Sequence, residues 1–180
     1  PFSEEMMKKI TFFWSLVLLT SLTLSAKEIF IEPSDNSQEE VQTALIELSS
    51  GDILTLSPGT FIFEDGLSLD VDEVIVRGSG INETILDFKN QMSGAQGLLV
   101  TSDRVTLKDF AVTDAKGDAI KVIGAEGINM INLKTEWTGG PKTTNGAYGL
   151  YPVESTDVLI DGCVAIGASD AGIYVGQSKN

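Results

Sequence analysis

Short stretches of alternating apolar and polar residues dominate this chain, and one of them recurs. Between positions 97 and 180 the phrase appears as Gly97-Leu98-Leu99-Val100, Ala119-Ile120-Lys121-Val122, Gly149-Leu150-Tyr151-Pro152 and Gly172-Ile173-Tyr174-Val175, with starts 22, 30 and 23 residues apart. A second phrase follows three of these: Val105-Thr-Leu-Lys-Asp-Phe, Ile128-Asn-Met-Ile-Asn-Leu and Val158-Leu-Ile-Asp-Gly-Cys. Period-two alternation inside a unit that returns every twenty-odd residues predicts short strands stacked as a solenoid. Aligned, the second phrases place Leu107, Met130 and Ile160 in one inward column and Phe110, Leu133 and Cys163 in the next. Asp109, Asn132 and Gly162 stand between the columns, with Gly78 equivalent one unit earlier, and these residue types tolerate a left-handed bend.

Upstream the pattern changes once. Val41, Ala44, Leu45 and Leu48 fall at helical spacing behind Ser37-Gln38-Glu39-Glu40, which predicts a capping box and an amphipathic helix of about 12 residues with Gln42 on its solvent face. Short strands precede it at 28–32 and follow it from Asp52 onward, separated by Pro58-Gly59, Asp65-Gly66 and Gly78-Ser-Gly. A stack of rungs leaves open ends, and a lone helix ahead of the first rung has the task of covering one of them. The predicted fold is therefore all-β, a single-stranded parallel β-helix with an N-terminal amphipathic capping helix over residues 27–180.

The first 26 residues form a separate unit. Upstream residues lead to Lys8-Lys9, an apolar run from Ile10 to Leu24, and Ser25-Ala26, the order of a secretory signal peptide. About 15 apolar residues is short for a membrane span, so export to a periplasmic or extracellular location is expected, with no membrane association after cleavage. The net charge of −14 makes nucleic acid and anionic membranes poor partners. The chain has no His, which removes His metal sites, Ser–His–Asp triads and imidazole catalysis, and no metal or cofactor is expected. The single Cys163 sits at an inward position and is expected to fill core.

Gly51-Asp52-Ile-Leu-Thr-Leu, Pro58-Gly59-Thr-Phe, Arg77-Gly78-Ser-Gly and Thr84-Ile-Leu-Asp resemble the N-terminal cap and first rungs of pectate-lyase-like right-handed parallel β-helices. Tyr148-Gly-Leu-Tyr-Pro and Asp170-Ala-Gly-Ile-Tyr-Val-Gly-Gln-Ser resemble the exported β-helix repeat proteins of Gram-negative bacteria. The resemblance implies a right-handed coil and, as a partner, an exported c-type cytochrome-like protein. It implies no reaction. The polygalacturonase motifs and the Asp-Pro-His of alginate epimerases are absent, and Arg77 and Arg104 are not placed as a lyase would need them. The last phrase lacks its successor, so an N-terminal fragment of a longer solenoid is expected.

Candidate chemistry lies on the outward positions of the first phrase. Lys121, Tyr151 and Tyr174 share one register beside a strip of small residues, Gly97, Ala119, Gly149 and Gly172. Such a face suits an acidic polysaccharide, with ring faces for the sugars and a charge for the carboxylates. It suits equally a plain surface ladder that only supports the sheet. The longer interval before Tyr151 predicts a loop from which Trp137 and Lys142 wall the groove, or a tolerated excursion. Asp118 and Asp170, two rungs or about 9–10 Å apart, are near the roughly 6.5–9.5 Å of an inverting carboxylate pair; solvated turn acids are the alternative. The readings left by the sequence are a protein that binds or processes an acidic polysaccharide and a non-enzymatic scaffold that docks a periplasmic redox partner.

Overall fold

The computed structural model describes residues 26–179, so the signal-peptide segment lies outside the described residues. The elements are β1 (Glu28–Ile31), α1 (Ser37–Glu47), β2 (Ile53–Leu56), β3 (Gly59–Ile62), β4 (Leu67–Leu69), β5 (Ile75–Arg77), β6 (Thr84–Asp87) and β7 (Gln96–Val100). They continue with β8 (Thr106–Thr113), β9 (Asp118–Ile123), β10 (Asn129–Glu136), β11 (Tyr148–Val153), β12 (Leu159–Asp161), β13 (Val164–Ile166) and β14 (Ala171–Ile173). Among the described residues the fold is mostly β, every strand pairing is parallel, and one helix follows the first strand.

Three ladders run side by side. The first is β1-β2-β5-β8-β10-β12, and the third is β4-β7-β9-β11-β14. The second comprises β3, β6, the later halves of β8 and β10, and β13. The chain visits first, second and third in that order through β2–β4, β5–β7, β8–β9, β10–β11 and β12–β14. Like residues therefore stack on like. Leu54, Val76, Leu107, Met130 and Ile160 form one inward column, and Leu67, Leu98, Ile120, Leu150 and Ile173 form another. Phe61, Phe63, Phe88 and Phe110 fill the interior between ladders without solvent contact. The expected inward columns are correct.

The bend column is correct at three of its four members. Asp109, Asn132 and Gly162 have φ of 61°, 48° and 62°, and the Asn132 side-chain amide donates to Asp109 Oδ1 at 2.7 Å. Gly78 is not left-handed. It is glycine because a Cβ there would lie 2.4 Å from the Asp109 carbonyl oxygen. A second left-handed column, not visible in the alternation, precedes the first ladder at Gly51, Glu73, Arg104, Gly127 and Asp157.

Helix α1 covers the open end as expected, burying Val41, Ala44, Leu45 and Leu48. Its start differs from the expected box. Ser37 is the first helical residue, and its hydroxyl bonds Ser34, donating to the carbonyl and accepting from the N–H. Glu40 accepts from the Ser34 hydroxyl, not from the backbone at Ser37. Gln42 is not a free solvent-face residue. Its amide donates to Ser68 O at 3.0 Å and accepts from Ser68 N at 2.9 Å, on the edge of β4 away from β7. Gln38 likewise accepts from the N–H groups of Glu64 and Asp65. Two glutamine side chains thus occupy the hydrogen-bonding edge where a further strand would add, which is how an edge is kept from pairing with another chain. Among the described residues no helix is long and apolar enough to cross a membrane.

Candidate functional site

The third ladder breaks the period of two at its entrance. In β7, β9 and β11 the first residue faces out, the next two face in, and the fourth faces out again. The two inward residues are Gly97-Leu98, Ala119-Ile120 and Gly149-Leu150. Consecutive inward positions at a corner leave no room for side chains, which is why the first of each pair is Gly or Ala. A Cβ on Gly149 would stand 2.4 Å from the Gly172 carbonyl oxygen and 2.4 Å from Thr135 Oγ1, and one on Gly97 2.7 Å from the Ala119 oxygen. The expected flat outer strip of small residues is therefore a buried corner, with Ala119 only 2% exposed. The small residues shape the face from behind and are not part of it.

This break brings forward two outward columns instead of one. Leu99, Lys121 and Tyr151 are in register, with Tyr174 following the Leu150–Ile173 pair. Gln96 and Asp118 are paired beside them, and Tyr148 continues that column and pairs with Ala171. Tyr148 was absent from the candidates because a strict alternation puts it and Tyr151 on opposite faces. In the fold its ring lies 4.5 Å from that of Tyr151 and 5.0 Å from that of Tyr174, and Tyr151 and Tyr174 are 5.5 Å apart. The three rings form one cluster, its floor closed by Gly176, where a Cβ would meet Tyr174 and Tyr151 at 3.2 and 3.3 Å.

Beside the cluster, Lys121 Nζ stands 4.9 Å over the Tyr151 ring and 3.9 Å from Asp118 Oδ2. Both partners are largely withdrawn from solvent, with side-chain exposures of 21% and 14%. Burial raises the Asp118 carboxyl above the usual Asp range, against the opposing pull of Lys121 and of the Tyr148 N–H that donates to Oδ1 at 3.3 Å. Asp118 thus holds its proton to a higher pH than a solvated Asp. The Tyr148 phenol is raised in its turn, first by its hydrogen bond to Asp170 and then by burial. Asp118 and Asp170 do not face each other across an open gap. Tyr148 occupies the strand between them, and its backbone N–H donates to Asp118.

Trp137 lies elsewhere. It is 5% exposed, and its indole N–H donates to the Ala115 carbonyl at 2.7 Å under the bend that precedes β9. Its ring is part of the core and offers no free face to the tyrosines. Lys142 shares a cleft with it at that bend. Arg77 and Arg104 are engaged between rungs, Arg77 with Glu28 and Thr55, Arg104 with Glu73 and Asp72. Cys163 is half-buried and packs against the core, its thiol donating to Met130 O at 3.3 Å, and burial pushes that thiol up. Among the described residues no cluster of His, Cys, Asp or Glu has the geometry to hold a metal ion. Comparisons with protein-family models, with curated proteins and with solved structures find no match to this chain.

Proposed function

We propose that the chain is a right-handed parallel β-helix of the pectate-lyase-like class, exported from the cell, whose third ladder binds an acidic polysaccharide on its outer face. The fixed order in which the chain visits three parallel ladders supports the coil, and parallel crossovers are right-handed in about 98% of cases. The observation that carries the binding reading is the cluster of Tyr148, Tyr151 and Tyr174 against the Lys121–Asp118 pair. Tyrosine rings offer an apolar edge to sugar C–H groups and hydroxyls to their oxygens. Lys121 is restrained between a carboxylate and a ring at distances too long for a saturated ion pair, so a substrate carboxylate competes for it on favourable terms.

The test is calorimetric titration with a galacturonate hexamer. Tyr151→Ser with Tyr174→Ser is expected to abolish measurable binding at a modest loss of stability, because exposed cross-strand pairs are each worth about 0.2–1 kcal/mol. Lys121→Glu is expected to weaken the acidic hexamer more than a neutral glucose hexamer, by a margin that shrinks with salt. Unchanged binding in the tyrosine double variant defeats this reading. The second reading is a non-enzymatic scaffold for a protein partner such as an exported c-type cytochrome-like protein. An acidic glycan array that stays blank for the wild-type chain favours it.

A further inference from the structure

A cleft of about 550 Å³ opens at the bend that leads into β9 and β11, and its charge runs against that of the molecule. Lys89, Lys116 and Lys142 line it, in a chain of net charge −14. None of the three makes an ion pair among the described residues, whereas Arg77, Arg104, Lys108, Lys121 and Lys134 all do. The one acid on the lining, Asp114, is already occupied: Oδ1 accepts from Thr138 N at 2.7 Å and Oδ2 from the Thr138 hydroxyl at 2.5 Å. Three cations against one carboxylate leave the cleft with a net positive charge, and an anion there relieves the repulsion among the lysines.

The walls are fixed. Lys116 is held by its N–H to Gln91 Oε1 at 2.9 Å and by Nζ to the Met92 carbonyl at 3.1 Å. The loop that carries Lys142 is tied by Asn145, whose amide donates to the carbonyls of Gly140 and Gly167, and by the Trp137 indole on Ala115. Thr138, Thr144 and Asn145 add hydroxyl and amide groups to the lining. The cleft also adjoins the tyrosine face. Lys116 precedes Asp118 by two residues, and Asn145 precedes Tyr148 by three, which is about 7–10 Å of extended chain.

We propose that this cleft is an anion subsite that takes a carboxylate-bearing sugar at one end of the chain bound along the tyrosine cluster. The inference rests on the polysaccharide reading above and names a second, separable part of the site. Lysine ammonium groups on an open rim with hydroxyls between them suit a uronate, whose single charge is spread over two oxygens and flanked by hydroxyls.

Trp137 provides the readout, because in the full chain carrying Trp14→Phe it is the sole tryptophan, and it lines the cleft. Emission is followed during titration with digalacturonate, hexagalacturonate, a neutral glucose hexamer and inorganic phosphate. The two uronates are expected to shift Trp137 emission and the neutral hexamer to leave it unchanged. Lys89→Gln with Lys142→Gln is expected to weaken digalacturonate about tenfold at an unchanged melting temperature. Should that pair fail to fold, Lys142→Gln alone carries the test at a smaller factor. Tyr151→Ser with Tyr174→Ser is expected to weaken the hexamer more than the dimer. Wild-type uronate affinity in the lysine variants overturns the subsite while leaving the tyrosine reading to its own test. Phosphate displacing digalacturonate at equal concentration overturns the sugar assignment. Loss of binding in the lysine variants with normal hexamer binding in the tyrosine variant keeps the cleft and removes the tyrosine face.

Discussion

Adding one methyl group at Gly149 tests the corner on which the tyrosine face depends. The Cβ of Gly149→Ala would arrive 2.4 Å from the Gly172 carbonyl oxygen and 2.4 Å from Thr135 Oγ1, with Ala165 Cβ next at 3.1 Å. Ordinary contact for such pairs begins near 3.4 Å, so two neighbours must each retreat by about 1 Å. The Thr135 side chain has no hydrogen bond to lose, but the Gly172 carbonyl is backbone and moves only with β14. Overpacking of this kind costs about 1–3 kcal/mol, and a carbonyl that cannot rotate away puts the change at the upper end. For a chain of this size that lowers the melting temperature by about 4–10 °C. Two other members of the corner calibrate it. Gly97→Ala meets Ala119 O at 2.7 Å, and Gly172→Ala meets Ala165 Cβ at 2.9 Å, so both should be milder. Gly124→Ala meets nothing within 4 Å and tests only its left-handed φ of 68°, at about 1–2 kcal/mol. Thermal unfolding of the four variants by circular dichroism should rank Gly149 worst. A Gly149→Ala protein that melts within a degree of wild type refutes the out–in–in–out arrangement, and with it the placement of Tyr148 and Tyr151 on one face.

The helical cover makes a graded set. Leu45→Asp places a charge in the buried interface and should lose several kcal/mol, roughly 3 or more. Gln42→Ala removes both hydrogen bonds to Ser68 and should lose about 1–2 kcal/mol, while Thr43→Ala, on the exposed side, should be near neutral; equal urea midpoints for all three would mean the helix does not hold the β4 edge. Two acids should respond to pH in opposite senses. Burial raises Asp118, so the folded chain retains a proton that the unfolded chain has released, and the resulting penalty is present at neutral pH and gone by about pH 4. Asp118→Asn should therefore stabilise at pH 7 and lose that advantage on acidification. Asp52 is lowered by the backbone N–H groups of Lys27 and Ser49, so its contribution is present above about pH 4 and lost as pH falls through its lower folded value. Asp52→Asn should destabilise at pH 7 and match wild type in strong acid, and urea unfolding of both variants across this range checks the two signs.

The stack was legible because each rung states its inward residues at a spacing of two and the statement is repeated in every circuit. Leu107, Met130 and Ile160 align in the text as they align in space, since parallel in-register pairing is a one-to-one copy of sequence phase. The helix was legible for the corresponding reason at period 3.6. Partnership was not. Gln42 looks like a solvent residue on any helical projection, and only the proximity of the β4 edge, 26 residues away, gives its amide two partners. The same holds for Gly78, whose glycine reports the approach of the Asp109 carbonyl from the next rung and not its own dihedral angle.

The site shows where phase reasoning fails. Alternation carried through Tyr148-Gly149-Leu150-Tyr151 assigns the two tyrosines to opposite faces, and the same count separates Asp118 from Lys121. A turn into the third ladder adds one inward residue in each rung, so residues three apart return to the same side. Its only trace in the sequence is the run of Gly and Ala at 97, 119, 149 and 172, and that run suits an outer strip as well as an inner corner. The steric distances decide: with a Cβ that would lie 2.4 Å from a carbonyl of the next rung, Gly149 has no outer side to present. From that single correction the rest of the site follows. Lys121 gains Asp118 as a neighbour, and Tyr148 joins Tyr151 and Tyr174. The two acids are then separated by the strand that carries Tyr148. Tyr148→Phe keeps the ring and removes the hydroxyl, so titration of that variant with a galacturonate hexamer separates the contribution of the ring from that of the phenol: wild-type affinity assigns the face to the rings, and lost affinity assigns it to the hydroxyl.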